Sequence, residues 1–263
     1  MPTLFTGGNI FLGFLSIIRT IHGAILYSTN QDVAVHEFEL AAQLIGFSFI
    51  LDGLDGRIAR MTNTASEFGK ELDSLADIIS FGIAPAILAY VWGVYFVTPR
   101  VDQMNRAGLF LAFLFLVCGA ARLARFNITK NPVPKNPGAP HRKYFVGLPI
   151  PAGAGIVAAV VYAEGSSPLT STIWSGLWMA LLALVSYLMV STWRYWSFKE
   201  LNPGKPRSPI MLIAVCAVIF AVYNWSQPVL LILSTTYVLS GILIRAGGLV
   251  RRYVLKPREH PVV

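Results

Sequence analysis

Charge is what this sequence has least of. Only 13% of its 263 residues are charged, about half the roughly 25% usual in soluble domains, and 55% are hydrophobic. A chain this apolar is not a disordered segment, and it is a poor fit to a soluble globular enzyme. Cysteine is scarce too: Cys118 and Cys216 each sit inside an apolar run, which excludes a disulfide-stapled scaffold and a thiolate metal centre. The four histidines, His22, His36, His141 and His260, are scattered, so no imidazole cluster is expected. Strand-like alternation and even strand-length segments are missing, which argues against a β-barrel. No internal repeat or low-complexity stretch occurs. The first apolar run has no basic residues before it and no small-residue cleavage site after it, so it reads as a retained helix.

What the chain has instead is length in its apolar runs. About 20 mostly apolar residues cross the bilayer core as a helix. Eight stretches qualify, near 5–27, 38–60, 72–97, 106–126, 147–163, 172–190, 208–223 and 228–245, the fifth and seventh being short. The expected fold is an all-α polytopic membrane bundle of about eight helices forming one domain. Residues 1–190 would make a six-helix core, 191–207 an interfacial segment, and 208–263 two further helices with a basic tail. The net charge of +8 is read first as topology. With a cytoplasmic N-terminus, eighteen of the 21 Lys and Arg fall on the cytoplasmic side, Arg100 and Arg106 on the other, and Arg19 within the first span. That bias predicts a multi-pass protein of the cytoplasmic membrane with both termini inside. The loop 127–146 carries Pro132, Pro134, Pro137 and Pro140 and reads as neither helix nor strand. Residues 191–200 mix aromatics with charge and read as an interfacial helix.

The acids are few and unevenly placed. Six of the thirteen fall between 52 and 77: Asp52, Asp55, Glu67, Glu71, Asp73 and Asp77. An Asp at the centre of a membrane helix costs about 2.5–3.5 kcal/mol on insertion scales, less near the interface. Clustered carboxylates also repel one another, and a divalent cation is their usual compensator. Asp52 and Asp55 are three apart and share a helix face; Gly69, Asp73 and Asp77 are four apart and form one stripe. Two antiparallel helices joined near 61–68 would turn these stripes toward each other. An all-oxygen donor set favours Mg²⁺ or Mn²⁺. Gly56 and Gly69 leave room beside the acids, and Arg60 and Lys70 add positive charge. The combination suits a diphosphate bridged by metal ions, with two ions expected. Glu67 and Glu71 read as solvated turn residues.

These residues also spell a signature. Asp52-Gly-Leu-Asp55-Gly56-Arg-Ile-Ala59-Arg60, eight further residues, then Gly69, Asp73 and Asp77 at intervals of four, resembles the DxxDGxxAR(x8)GxxxDxxxD motif of CDP-alcohol phosphatidyltransferases at every fixed position. Four looser blocks resemble the integral-membrane phosphatidylserine synthases within that family. They are Leu72–Ala86, Ala121-Arg-Leu-Ala-Arg-Phe-Asn127, Tyr144-Phe-Val-Gly-Leu-Pro-Ile-Pro151 and Leu4–Phe14. The resemblance implies a reaction in which CDP-diacylglycerol and L-serine give phosphatidylserine and CMP. It implies divalent metal on Asp52, Asp55, Asp73 and Asp77, with Asp77 also the general base. Gly56, Ala59 and Gly69 would line the cytidine pocket and Arg60 would lie near the diphosphate. A homodimer is the family expectation, and no nucleic-acid partner is expected.

Beside the resemblance stand the residues' own chemistry. Asn9 and Thr6, at the start of the first span, are candidates to touch the phosphates. The serine carboxylate calls for a planar cation, and Arg122 and Arg125 share a face at the end of the fourth span. Arg142 and Lys143 follow in the Pro-rich loop, and Ser80 lies one turn past Asp77. Arg19 and His22 have no assigned role. The alternative within the family is an acceptor carrying phosphate, glycerol 3-phosphate or an inositol phosphate. Outside it, a cation transporter would want midplane acids and inverted repeats, and a lipid-binding scaffold would not need four aligned carboxylates.

Overall fold

The computed structural model describes residues 2–61, 66–97, 102–130, 144–196 and 209–254. Among them are eight helices: α1 (Pro2–Leu26), α2 (Gln31–Met61), α3 (Glu67–Tyr95), α4 (Asp102–Lys130), α5 (Ile150–Ala163), α6 (Thr172–Val190), α7 (Pro209–Asn224) and α8 (Ser226–Val254). Six of these are long and apolar enough to cross a membrane; α5 and α7, with 14 and 16 residues, fall short of the about 20 that a perpendicular crossing needs. They are the two segments whose apolar runs are shortest in the sequence. The chain is an all-α, multi-pass integral membrane protein.

α3 and α5 form the centre, with α1, α2, α4 and α6 around them, while α7 and α8 lie at the periphery. Small residues let the helices approach closely. Ala34, Ala41 and Ala42 of α2, Ala84, Ala86 and Ala89 of α3, and Ala154 and Ala158 of α5 are all buried. Polar side chains bond across or along the helices where water is absent: Ser16 Oγ donates to the Ala41 carbonyl at 2.9 Å, and Trp178 Nε1 to the Ala89 carbonyl at 2.9 Å. Arg19, unassigned from sequence, makes a two-pronged ion pair with Glu37 at 3.0 and 3.2 Å. A cation inside an apolar span is tolerated because a carboxylate from the next helix meets it.

α3 is not a uniform helix. It begins at Ser66, whose side chain accepts from the Gly69 N–H at 3.0 Å. Over Ile78–Ile83 it widens into π-helical turns, and Pro85 follows. Proline has no N–H and its ring clashes with the carbonyl four residues back, and a widened turn relieves that clash.

Two sequence expectations are corrected here. Residues 194–196, expected as part of an interfacial helix, form a strand, β2 (Arg194–Trp196). It pairs antiparallel with β1 (Tyr144–Val146), inside the loop expected to hold neither helix nor strand. The reason is the burial of Tyr195: it is fully buried, and its ring covers Gly241 of α8 so closely that a Cβ there would lie 2.2 Å from it. α4 also runs on to Lys130, past the start of that loop, before the first of its prolines.

Candidate active site

Antiparallel helices bring the start of α1, the end of α2, the start of α3 and the end of α4 to one end of the bundle. Among the described residues, Thr6, Asn9, Asp52, Asp55, Gly56, Gly69, Asp73, Asp77, Ser80, Arg122 and Arg125 lie at or near those four ends. α1 and α2 are tied there by Thr6, whose hydroxyl donates to Asp55 Oδ2; the two residues are 2% and 5% exposed. The other carboxylate oxygen of Asp55 is buried and takes no hydrogen bond. Asp52 is half-buried one turn earlier, and its charge feels those of Asp73 and Asp55. Asp52 and Asp55 of α2 thus lie within electrostatic range of Asp73 of α3.

α1 is pressed against the widened turn of α3. Ser80, fully buried, donates from Oγ to the Asn9 carbonyl at 2.8 Å. One turn along α1, a Cβ on Gly13 would lie 2.8 Å from Ser80 Cα, so only glycine allows this approach. Asn9 itself is 1% exposed, and neither the oxygen nor the nitrogen of its side-chain amide has a hydrogen-bond partner. An unsatisfied buried amide costs about 1–3 kcal/mol per group, so Asn9 has the capacity to bond a polar group at this end of the bundle.

Arg122 of α4 is buried at 6% exposure, with its guanidinium 5.3 Å over the Phe126 ring. Its charge interacts with Tyr237 of α8 and with Asp77 of α3. Arg125 is used differently. It donates to the carbonyls of Val190 at 3.1 Å and of Val146 and Ser191 at 3.2 Å each, closing the β1–β2 end of the bundle. Asn127 donates to Ser74 Oγ at 2.8 Å, tying α4 to α3 between the two aspartates. Nothing in the sequence assigned a role to Asn127, although it ends one of the blocks quoted above. Tyr237 gave no sequence signal at all, being one aromatic in an apolar helix.

Gly56 is exposed at the end of the described part of α2, and a Cβ built on it meets nothing within 4 Å. Among the described residues, nothing crowds Gly56. Gly69 sits at the start of α3 against Ser66. Ala59, Arg60, Arg142 and Lys143 lie outside the residues whose side chains are described. Among the described residues, no three His, Cys, Asp or Glu side chains stand at the spacing of a formed metal centre. The donor chemistry nonetheless suits a hard divalent cation: the acids offer oxygen alone, and Asp55 Oδ1 is buried without a hydrogen bond.

The CDP-alcohol phosphatidyltransferase family matches residues 1–173. The chain belongs to that family. The match spans α1 to α5, and so includes all the aspartates and the four candidate arginines, Arg60, Arg122, Arg125 and Arg142. Three relatives carry the name CDP-diacylglycerol–serine O-phosphatidyltransferase. That of Helicobacter pylori strain 26695 is 39% identical over 201 residues, 76% of this chain and 73% of its own. That of Methanocaldococcus jannaschii is 35% identical over 200 residues, 76% and 81%. That of Bacillus subtilis is 32% identical over 200 residues, 76% and 92%. This family member is thus a membrane-embedded transferase, with its acidic stripes at one end of the bundle.

Proposed function

We propose that the protein transfers the phosphatidyl group of CDP-diacylglycerol to the hydroxyl of L-serine, releasing CMP. The observation that carries the reading is the electrostatic interaction of Asp77 with buried Arg122, at the end where Asn127 of α4 is tied to Ser74 of α3. A base and an anion-binding fork within reach of each other are what a zwitterionic amino-acid alcohol requires. The names of the three relatives support the same acceptor.

The chemistry follows from the substrates. The serine oxygen attacks the phosphorus that bears the diacylglycerol, the bond from that phosphorus to the CMP oxygen breaks, and CMP leaves with the electron pair. The hydroxyl is a weak nucleophile near pH 7, so Asp77 takes its proton as the new bond forms. Arg122 holds the serine carboxylate by a two-pronged contact and offsets its repulsion from the diphosphate. Asn9 and Thr6 meet the phosphate end of the donor, and Gly56, Ala59, Arg60 and Gly69 are the candidates to receive the cytidine diphosphate. Mg²⁺ or Mn²⁺ held by Asp52, Asp55, Asp73 and Asp77 would supply neutralisation of the diphosphate and of the leaving CMP. In this reading Ser80 and Arg125 hold helices in place, while Arg142 and Lys143, outside the described residues, stay candidates for the serine carboxylate by their charge. The site opens on the cytoplasmic face, both termini lie on that side, and the working unit is a homodimer.

The test is CMP release by purified protein in detergent, with CDP-diacylglycerol, Mn²⁺ or Mg²⁺, and L-serine, glycerol 3-phosphate or inositol phosphate offered separately. Release with serine alone is expected. Release only with a phosphorylated alcohol overturns the acceptor while leaving the family intact.

A further inference from the structure

Residues beyond the family match reach the site. α8 carries Tyr237, half-buried, whose side chain interacts electrostatically with the Arg122 guanidinium. Its ring packs against Tyr195 of β2, centroids 5.8 Å apart and planes tilted by 38°. Tyr195 is in turn seated over Gly241, one turn further along α8, and is fully buried. Burial and the nearby Tyr237 push the Tyr195 phenol up to about 12, so it stays neutral. Arg125, three residues from Arg122, pins the same end by holding the carbonyls of Val146 and Ser191 on either side of the strand pair. Packing therefore runs from the strand pair through Tyr195 to Tyr237, and the charge of Arg122 is felt by both Tyr237 and Asp77.

We propose that Tyr237 is a positioning residue for the acceptor: its hydroxyl accepts from the Arg122 guanidinium and aims that fork at the carboxylate of the incoming amino acid. The C-terminal helix then completes the acceptor pocket. A guanidinium with one edge fixed by a phenol presents its other edge for a carboxylate, and a fork held in advance loses less freedom on binding. Tyr195 and Gly241 fix where α8 lies, and so where the phenol stands. The inference rests on serine as acceptor.

Tyr237→Phe removes only the hydroxyl and keeps the ring that packs on Tyr195. The experiment measures CMP release against serine concentration at saturating CDP-diacylglycerol, and against CDP-diacylglycerol at saturating serine. The serine KM is expected to rise about tenfold, with kcat and the CDP-diacylglycerol KM within twofold of the parent. Combined with Arg122→Lys, the loss should be less than the product of the two single losses, because both remove one arrangement. An unchanged serine KM in Tyr237→Phe overturns the inference and leaves serine as acceptor. So does an equal rise in both KM values, which marks general damage to the fold. A parent protein that works only with a phosphorylated alcohol overturns serine, and the inference falls with it. Should Tyr237→Phe unfold in detergent, Gly241→Ala supplies the second variant: it displaces Tyr195 and should raise the serine KM selectively too.

Discussion

Two arginines three residues apart have come to different work, and the difference is measurable. Arg122 is buried and interacts electrostatically with Asp77 and Tyr237, while Arg125 gives its N–H groups to three backbone carbonyls. Arg122→Lys keeps the charge but loses the planar fork, so the serine KM should rise tenfold or more with little change in the CDP-diacylglycerol KM. Arg125→Gln should leave the serine KM nearly unchanged and instead lower thermal stability. About 1.5–3 kcal/mol in all is expected, the range for a hydrogen bond to a charged group, since this side chain is only half-buried. Reversal of the two outcomes would exchange the roles. Asp77→Asn should reduce kcat by about 10²–10⁴-fold, the contribution of a positioned base, while CDP-diacylglycerol still binds. Thr6→Val keeps the shape of the side chain but removes the donor that Asp55 accepts from. Loss of a group that orients a metal ligand typically weakens metal affinity about 10–100-fold. Direct Mn²⁺ titration by electron paramagnetic resonance should show that weakening, and an unchanged titration would separate the Thr6–Asp55 bond from metal holding.

The elements differ in how plainly the chain announced them, and the reasons are physical. A membrane helix must satisfy its own backbone and be apolar for its whole length, so α1 to α4, α6 and α8 show as long runs. The acidic stripes show because three- and four-residue spacing fixes a helix face before any neighbour is known. The strand pair does not show. Three residues hold too little alternation to read, and the partner of Arg194–Trp196 lies some fifty residues back at Tyr144–Val146. Arg19 was visible as an oddity, but its partner Glu37 depends on how α1 lies on α2. Tyr237 was invisible for the same reason, since its role depends on α8 closing over Tyr195. Gly147 belongs to this group: it carries φ +78° just after β1, and a Cβ there would lie 2.4 Å from the Met189 carbonyl oxygen. Gly147→Ala combines a left-handed backbone with that clash. It should lower stability by at least about 1–3 kcal/mol, read as a fall in the thermal midpoint in detergent.

For the whole molecule the strongest physical constraint is that the reaction joins a lipid donor to a water-soluble acceptor, so the site must sit at one face of the bilayer. The aspartates and Arg122 share one end of the bundle, and the turn at residues 27–30 between α1 and α2 lies at the other. Eighteen of the 21 Lys and Arg were assigned to the site's side by counting charge alone. Positive residues are retained on the cytoplasmic side during insertion, which is the ground for the proposal that this face is the cytoplasmic one. Six crossings and eight give the same answer for the termini, because either number is even. Thr29 and Glu67 are both exposed and stand at opposite ends. In a Cys118→Ala/Cys216→Ala background, right-side-out vesicles treated with a membrane-impermeant maleimide should label the Thr29→Cys variant. The Glu67→Cys variant should label only after the vesicles are opened. Labelling of Glu67→Cys in sealed vesicles would put the acidic stripes on the outer face. Serine and CDP-diacylglycerol would then have to reach the site from outside the cell, and the charge count would have failed as a topology signal for this chain.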